Sequence, residues 1–185
     1  MLERQLIEYC SPTLASIKTA NMFTCSFEKE EILWESVDDW NRQLAEKGIF
    51  LSVMRIRGTM ALIYVCRFSS LARDMKQPGA AEFLRQCGYQ ETDPVHALGQ
   101  LRNRLESQEE FPHEIGLFLG YPLGDVIGFM VNGGKNYKCR GLWKVYTDAG
   151  TAVRTFEKYR KCKDTYGRLW KEGRVFHNAE YTFSG

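Results

Sequence analysis

Two apolar runs joined by three residues constrain this chain more than any other feature. Residues 49–56 (IFLSVMRI) and 60–67 (MALIYVCR) are rich in β-branched and aromatic side chains, and Arg57-Gly58-Thr59 between them reads as a hairpin turn. The second run does not alternate. It is apolar almost throughout, the pattern of a strand covered on both faces, and so it is expected at the centre of a sheet. Residues 139–146 (CRGLWKVY) read as a third strand.

Elsewhere the period is helical. Leu33, Val37, Trp40 and Leu44 recur at helical spacing between residues 29 and 47, and Gly48 closes that segment. Leu2, Leu6 and Tyr9 predict a short opening helix that breaks at Cys10-Ser11-Pro12. Ser11 as cap and Pro12 at the first helical position then predict a second helix through TLASIKTANMF, residues 13–23. Further helices are expected over 69–76, 78–87 and 94–108, the last with Val95, Leu98, Leu101 and Leu105 on one face. Pro112 and Pro122 each mark a helix start, and the second of these helices is amphipathic until Gly133-Gly134. Asp148 can cap a long final helix whose stripe is Val153, Phe156, Tyr159, Tyr166 and Trp170. The expected fold class is α+β: a predominantly helical single domain, residues 1–173, around a small, largely antiparallel three- to four-stranded sheet. Residues 174–185 form a tail, read as an added strand or a disordered end.

At 185 residues the chain is long enough to bury a real core, and its 44% hydrophobic and 26% charged content is that of a soluble globular protein. The 13% aromatic share favours a well-packed core or an aromatic-lined pocket. Charge is uneven. Residues 1–134 hold 13 Lys+Arg against 18 Asp+Glu, whereas residues 135–185 hold 12 against 5. A basic last third suits nucleic acid, a phosphorylated ligand or an acidic partner, but no nucleic-acid motif accompanies it, so nucleic acid is disfavoured. None of the six cysteines forms a C-x-x-C pair, and their spacing fits no zinc or iron–sulfur signature, so no metal ligand is assigned. No leader-like or membrane-length apolar run is present, and the expectation is a cytoplasmic protein with reduced thiols.

Three places have the residue types for chemistry. Cys10, just before an expected helix start, would feel the positive end of a helix dipole, which favours thiolate; Lys18 and Thr19 follow one to two turns on. The alternative is a small buried residue beside a capping Ser11. His113 and Glu114 follow Pro112 in the stretch EFPHEIGLFLGYPLGDVIGFM, where a dipole would keep the imidazole neutral and fit for base or ligand work. Position 117 is Leu, so the H-E-x-x-H zinc pattern is absent, and a structural Glu114 is an equal reading. Gly116, Gly120, Gly124 and Gly128 recur every fourth residue there, which points to close packing or to a flat ligand. Gly133-Gly134-Lys135-Asn136-Tyr137-Lys138 is either an anion cradle or a turn, and it fails the P-loop spacing. His96 and His177 read as surface residues.

The stretches CSPTLASIKTANMF, EFPHEIGLFLGYPLGDVIGFM and GKNYKCRGLWKVYTD, with a following F-x-K-Y-x-x-C helix, resemble domain-of-unknown-function family 3793, over roughly residues 8–172. The resemblance implies a cytosolic protein of an anaerobic Gram-positive bacterium and hints at iron, haem or redox physiology; it implies no reaction and no cofactor. Its motifs fall on Cys10, Lys18, Thr19, His113, Glu114, Tyr121, Lys135, Asn136, Tyr137 and Lys144, among others.

Three functions follow as expectations. One is a thiol-dependent small-molecule enzyme with Cys10 as nucleophile, His113 as base and Glu114 orienting it. In that enzyme Lys18, Thr19, Tyr121, Lys135, Asn136, Tyr137 and Lys144 would hold a small anionic ligand. The second is a non-enzymatic protein associated with iron, haem or a redox flavoprotein partner. The third is an interaction module using the basic last third.

Overall fold

A computed structural model of the chain describes residues 2–175. The tail from 176, with His177, lies outside the described residues. The fold class is α+β, predominantly helical, with a three-stranded antiparallel sheet and a separate two-stranded one. The residues gather into two compact units, one from residues up to 67 together with those from 157 on, the other from residues 68–156.

In the first unit, helix α1 (Glu3–Leu14), strand β1 (Ala20–Ser26), helix α2 (Glu30–Leu44), strand β2 (Ile49–Arg57) and strand β3 (Met60–Arg67) follow in order. The sheet order is β1-β3-β2, all antiparallel, so β3 is central as its unbroken apolar run demands. Ala61 to Cys66 are all buried. In β2 the register slips between Val53 and Arg55, a bulge at Met54, and both Val53 and Met54 are buried. Helix α2 buries the expected Leu33, Val37, Trp40 and Leu44. Asn41 pins it to β2: its carbonyl accepts from Leu51 N at 2.7 Å and its amide donates to Leu51 O at 3.1 Å. Gly48, at φ +63°, ends the segment as expected.

Two expectations fail here. The opening helix does not break at Cys10-Ser11-Pro12; α1 runs through to Leu14. Pro12 sits in its last turn, where the missing N–H costs one bond, and the Ser11 hydroxyl donates back to Ile7 O instead of capping a new helix. Residues 20–23, expected as the end of a helix, belong to strand β1, because pairing from Ala20↔Cys66 to Ser26↔Met60 satisfies the backbone of 20–26 against the central strand. Arg67 ties the corner together, donating to Thr13 O at 2.7 Å, Leu14 O at 2.8 Å and Lys47 O at 2.6 Å, carbonyls at helix ends.

The second unit contains helices α3 (Phe68–Met75), α4 (Ala80–Gln86), α5 (Pro94–Ser107), α6 (Ile115–Phe118) and α7 (Leu123–Val131), then strands β4 (Cys139–Arg140) and β5 (Lys144–Val145). Asp93 caps α5, accepting from Val95 N and His96 N, with Pro94 at the first helical position. Its buried stripe is Ala97, Leu101 and Leu105, and Val95, expected inside, is exposed in the first turn. Pro112 opens a turn, not a helix: α6 starts three residues later and lasts one turn. Pro122 stands at the cap of α7, one position earlier than expected. The single strand expected over 139–146 is a small hairpin instead. Gly141 lies so close to Phe156 that a Cβ there would meet its ring at 2.3 Å, and the chain turns through Gly141-Leu142-Trp143.

Helix α8 (Ala149–Lys171) begins in the second unit and ends in the first. Asp148 caps it as expected, accepting from Thr151 N at 3.0 Å and Thr151 Oγ1 at 2.7 Å. Of its expected stripe Tyr166 is buried and Val153 exposed; Ala152 and Cys162 take the innermost places.

Candidate functional site

Each group of sequence candidates belongs to one unit; Cys10, Lys18 and Thr19 are all buried, whereas the other group mixes buried and exposed residues. Cys10 is wholly buried, on the penultimate turn of α1 and not ahead of a helix N-terminus. The dipole expected to favour thiolate is therefore absent, and burial pushes the thiol well above its ordinary value despite the Lys18 cation. Lys18 is 6% exposed; its amine donates to Ala20 O, and burial lowers its pKa to about 7, the Cys10 thiol opposing slightly. Thr19 is buried too, and Thr13 Oγ1 donates to Asn21 Oδ1 at 2.8 Å beside it in sequence. Burial also raises Cys66 to about 12 and Cys162 to about 11.

His113 and Glu114, adjacent in sequence, face different surroundings. Glu114 is buried and accepts from Arg104 Nη1 at 2.8 Å and from the Tyr89 hydroxyl at 3.2 Å, while the Arg104 guanidinium lies 4.6 Å over the Tyr89 ring. Those contacts make Glu114 a strut between α5 and the turn before α6, the structural reading of it. His113 is exposed, with its ring edge-on to Phe129 at 5.1 Å.

That histidine borders a cavity of about 330 Å³ in the second unit, lined among others by Tyr121, Phe129, Arg140, Trp143 and Lys144. The walls are set by Trp143. Its ring stacks on Tyr121 at 4.8 Å, meets Phe156 edge-on at 4.5 Å, and its indole N–H donates to Asp125 Oδ2 at 2.7 Å. Asp125 is buried in α7 and also accepts from Tyr146 N, Thr147 N and Thr147 Oγ1, each at 2.8 Å. Burial pushes that carboxyl up, but the four donors outweigh it and hold the pKa below the ordinary value. The charge of Asp125 is thus bound within the protein and clamps the hairpin on α7.

The glycine repeat permits this clamp. A Cβ at Gly116 would lie 2.9 Å from Val126, one at Gly124 2.6 Å from Thr147, and one at Gly128 2.5 Å from the Tyr146 ring. Close packing of side chains is therefore what these three glycines serve; Gly120, at φ +75°, serves a turn.

Lys144 Nζ donates to Gly134 O at 2.7 Å and lies 5.5 Å over the Phe129 ring and 5.2 Å over the Tyr137 ring. The Arg140 side chain is exposed and makes no hydrogen bond or ion pair among the described residues. The loop before β4 is a turn and not an anion cradle, because Gly133, Gly134 and Lys135 direct their N–H groups to Met130, Phe129 and Asn132 carbonyls. Asn136, at φ +59°, and Lys135 are exposed outside the cavity lining.

Of the sequence candidates, then, His113, Tyr121 and Lys144 line one cavity with Tyr137 against Lys144, while Cys10, Lys18 and Thr19 lie buried in the other unit. Arg140, Trp143 and Asp125 were missed. Reading 139–146 as a single strand hid the turn that brings the first two to the cavity, although the aromatic share of the composition hinted at such a pocket. Glu91, Asp93 and His96 place possible metal-ligating atoms within 4.8 Å of one another, but all three are exposed and Asp93 is already engaged as the α5 cap.

Among the described residues no helix is long and apolar enough to cross a membrane. No curated protein and no solved structure matches the chain. A family model does, over residues 6–178, and its description is "Protein of unknown function (DUF3793)".

Proposed function

Given that the chain belongs to this family, whose description assigns no reaction, we propose that it is a cytoplasmic small-molecule-binding protein whose ligand enters the cavity beside α7 in the second unit. The observation behind this reading is the cavity itself. Its volume of about 330 Å³ falls at the small end of ligand pockets, roughly 300–1,000 Å³, and it joins apolar and aromatic walls to a few polar groups, as such sites do. The thiol-dependent enzyme has less behind it, because Cys10 is buried and held protonated. His113 keeps a role in this reading as a cavity-edge donor or acceptor, and the small anionic ligand expected from the sequence finds its cations in Arg140 and Lys144.

Ligand-observed NMR with a fragment mixture tests this on the full chain and on Ile115→Trp, which fills the cavity with an indole. Fragments that bind the native chain should lose at least about tenfold in affinity in the variant. Equal binding to both would put the ligand elsewhere and end this reading.

A further inference from the structure

We infer that the cavity selects a flat aromatic ligand bearing a carboxylate or phosphate, with Arg140 as the residue that receives the anionic group. This deepens the reading above and rests on it. The aromatic preference follows from the walls. Tyr121, Phe129 and Trp143 line it with aromatic rings, and the Trp143 ring is held by Tyr121, Phe156 and the bond to Asp125, so this aromatic wall is set before any ligand arrives.

The sign of the charge follows from an inventory of the lining. Asp125 is the one carboxylate there, and four donors from the β5 end of the hairpin and from Trp143 already surround it. Lys144 bonds a neutral carbonyl, Gly134 O, and lies over two ring faces, and it makes no ion pair among the described residues. The Arg140 side chain has no partner among the described residues. Two cations therefore face one carboxylate that is fully engaged, and the remaining field is positive. Of the two cations Arg140 has its donors open. Its planar fork matches a carboxylate or phosphate in two parallel bonds, which a point charge such as an ammonium cannot do. Lys144 is a positioning residue: its bond to Gly134 O holds the loop before β4 against the hairpin.

Three probes separate the parts of this inference: 2-naphthoate, the neutral 2-naphthalenemethanol, and cyclohexanecarboxylate, which is anionic but not flat. Each is titrated into the full-length native chain and into Arg140→Gln, following the Trp143 indole and the His113 and Tyr121 amide resonances. In the native chain 2-naphthoate should bind at least about tenfold tighter than either comparator. Arg140→Gln should remove the preference for the anion over the alcohol while leaving the alcohol's affinity unchanged, which also reports that the variant is folded. If the alcohol binds as tightly as 2-naphthoate, or if Arg140→Gln keeps the preference, the assignment of Arg140 is overturned while the cavity reading stands. If cyclohexanecarboxylate matches 2-naphthoate, the aromatic preference is overturned. If no probe moves the cavity resonances, both readings fall together.

Discussion

The two units place their cations differently. In the first unit Lys18 is pressed into the interior beside a neutral thiol, and burial lowers its pKa to about 7. In the second, Arg140 and Lys144 border a cavity, with one carboxylate held in place by four donors. The same residue type thus yields a titrating interior group in one place and a permanent field toward a cavity in the other. The cavity bordered by Arg140 and Lys144 belongs to the second unit, so function is sought there.

The largest effect expected is at Asp125. Asp125→Ala removes the acceptor shared by Trp143, Tyr146 and Thr147 and leaves buried donors without a partner. That should cost about 3–5 kcal/mol of stability. Urea denaturation checks this, and the same variant should release the Trp143 indole resonance toward its free position. A loss below about 1 kcal/mol would mean that the hairpin is held by its rings alone.

The buried amine gives the next effect, through pH. The unfolded Lys18 amine keeps its proton up to its ordinary 10.5, whereas the folded one releases it near 7. Between these values the unfolded state binds more protons, so stability rises with pH, by at most about 1.4 kcal/mol per unit. Above its ordinary 9.0 Cys10 offsets this rise, because the unfolded thiol ionises and the buried one does not, and the likewise raised Cys66 and Cys162 turn the trend downward. The rise is therefore confined to roughly pH 7–9. His96, exposed and raised by Asp93 through a hydrogen bond and charge, contributes in the opposite direction as pH passes through its value. Lys18→Met should raise stability at pH 7 and remove the rise, leaving the His96 contribution in place. Denaturant midpoints from pH 6 to 9 measure both, and an unchanged slope in Lys18→Met would show that the amine is hydrated.

Alkylation sharpens the same contrast. At pH 7 the half-buried Cys87 and Cys139 should react at least about 100-fold faster than the buried Cys10, Cys66 and Cys162, whose reaction requires opening of the fold. Labelling read by mass spectrometry orders the six thiols. Fast reaction at Cys10 that slows in His113→Ala would restore the thiol enzyme as the better reading.

How much of this was legible in the sequence depends on whether local pattern or partner decides. The β2–β3 hairpin, the stripe of α2 and the Asp148 cap were readable because periodicity and capping act within a few residues. Strand β1 was not. Its residues 20–26 have no strong period, and what makes them a strand is the central β3, some forty residues on. Pro12 misled for a related reason: a proline is a helix start by local rule, but in the last turn of α1 its missing N–H matters little. The site was half readable. His113, Tyr121 and Lys144 drew attention as residue types, and they do line one cavity. Arg140 and Trp143 did not, because a strand reading of 139–146 sends alternate residues to opposite faces, whereas the turn at Gly141 folds both toward the cavity.

The smallest effect belongs to His113, and it decides what kind of site this is. The ring is exposed and touches Phe129 by an edge, so His113→Ala should alter stability by no more than about 0.5 kcal/mol. Its neighbour Glu114 is tied to Arg104 and Tyr89, and among the described residues no carboxylate bonds the imidazole as the orienting group of a general base commonly does. A cavity-edge histidine of that kind can contribute one hydrogen bond to a bound anion, and His113→Ala should weaken 2-naphthoate by about three- to tenfold. His113→Gln, which keeps a donor, should recover most of that loss. If alanine and glutamine weaken binding equally and the native affinity depends on pH as an imidazole titrates, the ring acts through its charge; it then joins Arg140 in setting the sign of the cavity. If neither variant affects binding, Arg140 alone meets the anion, and the sequence feature that first drew attention is a bystander at the edge of the site.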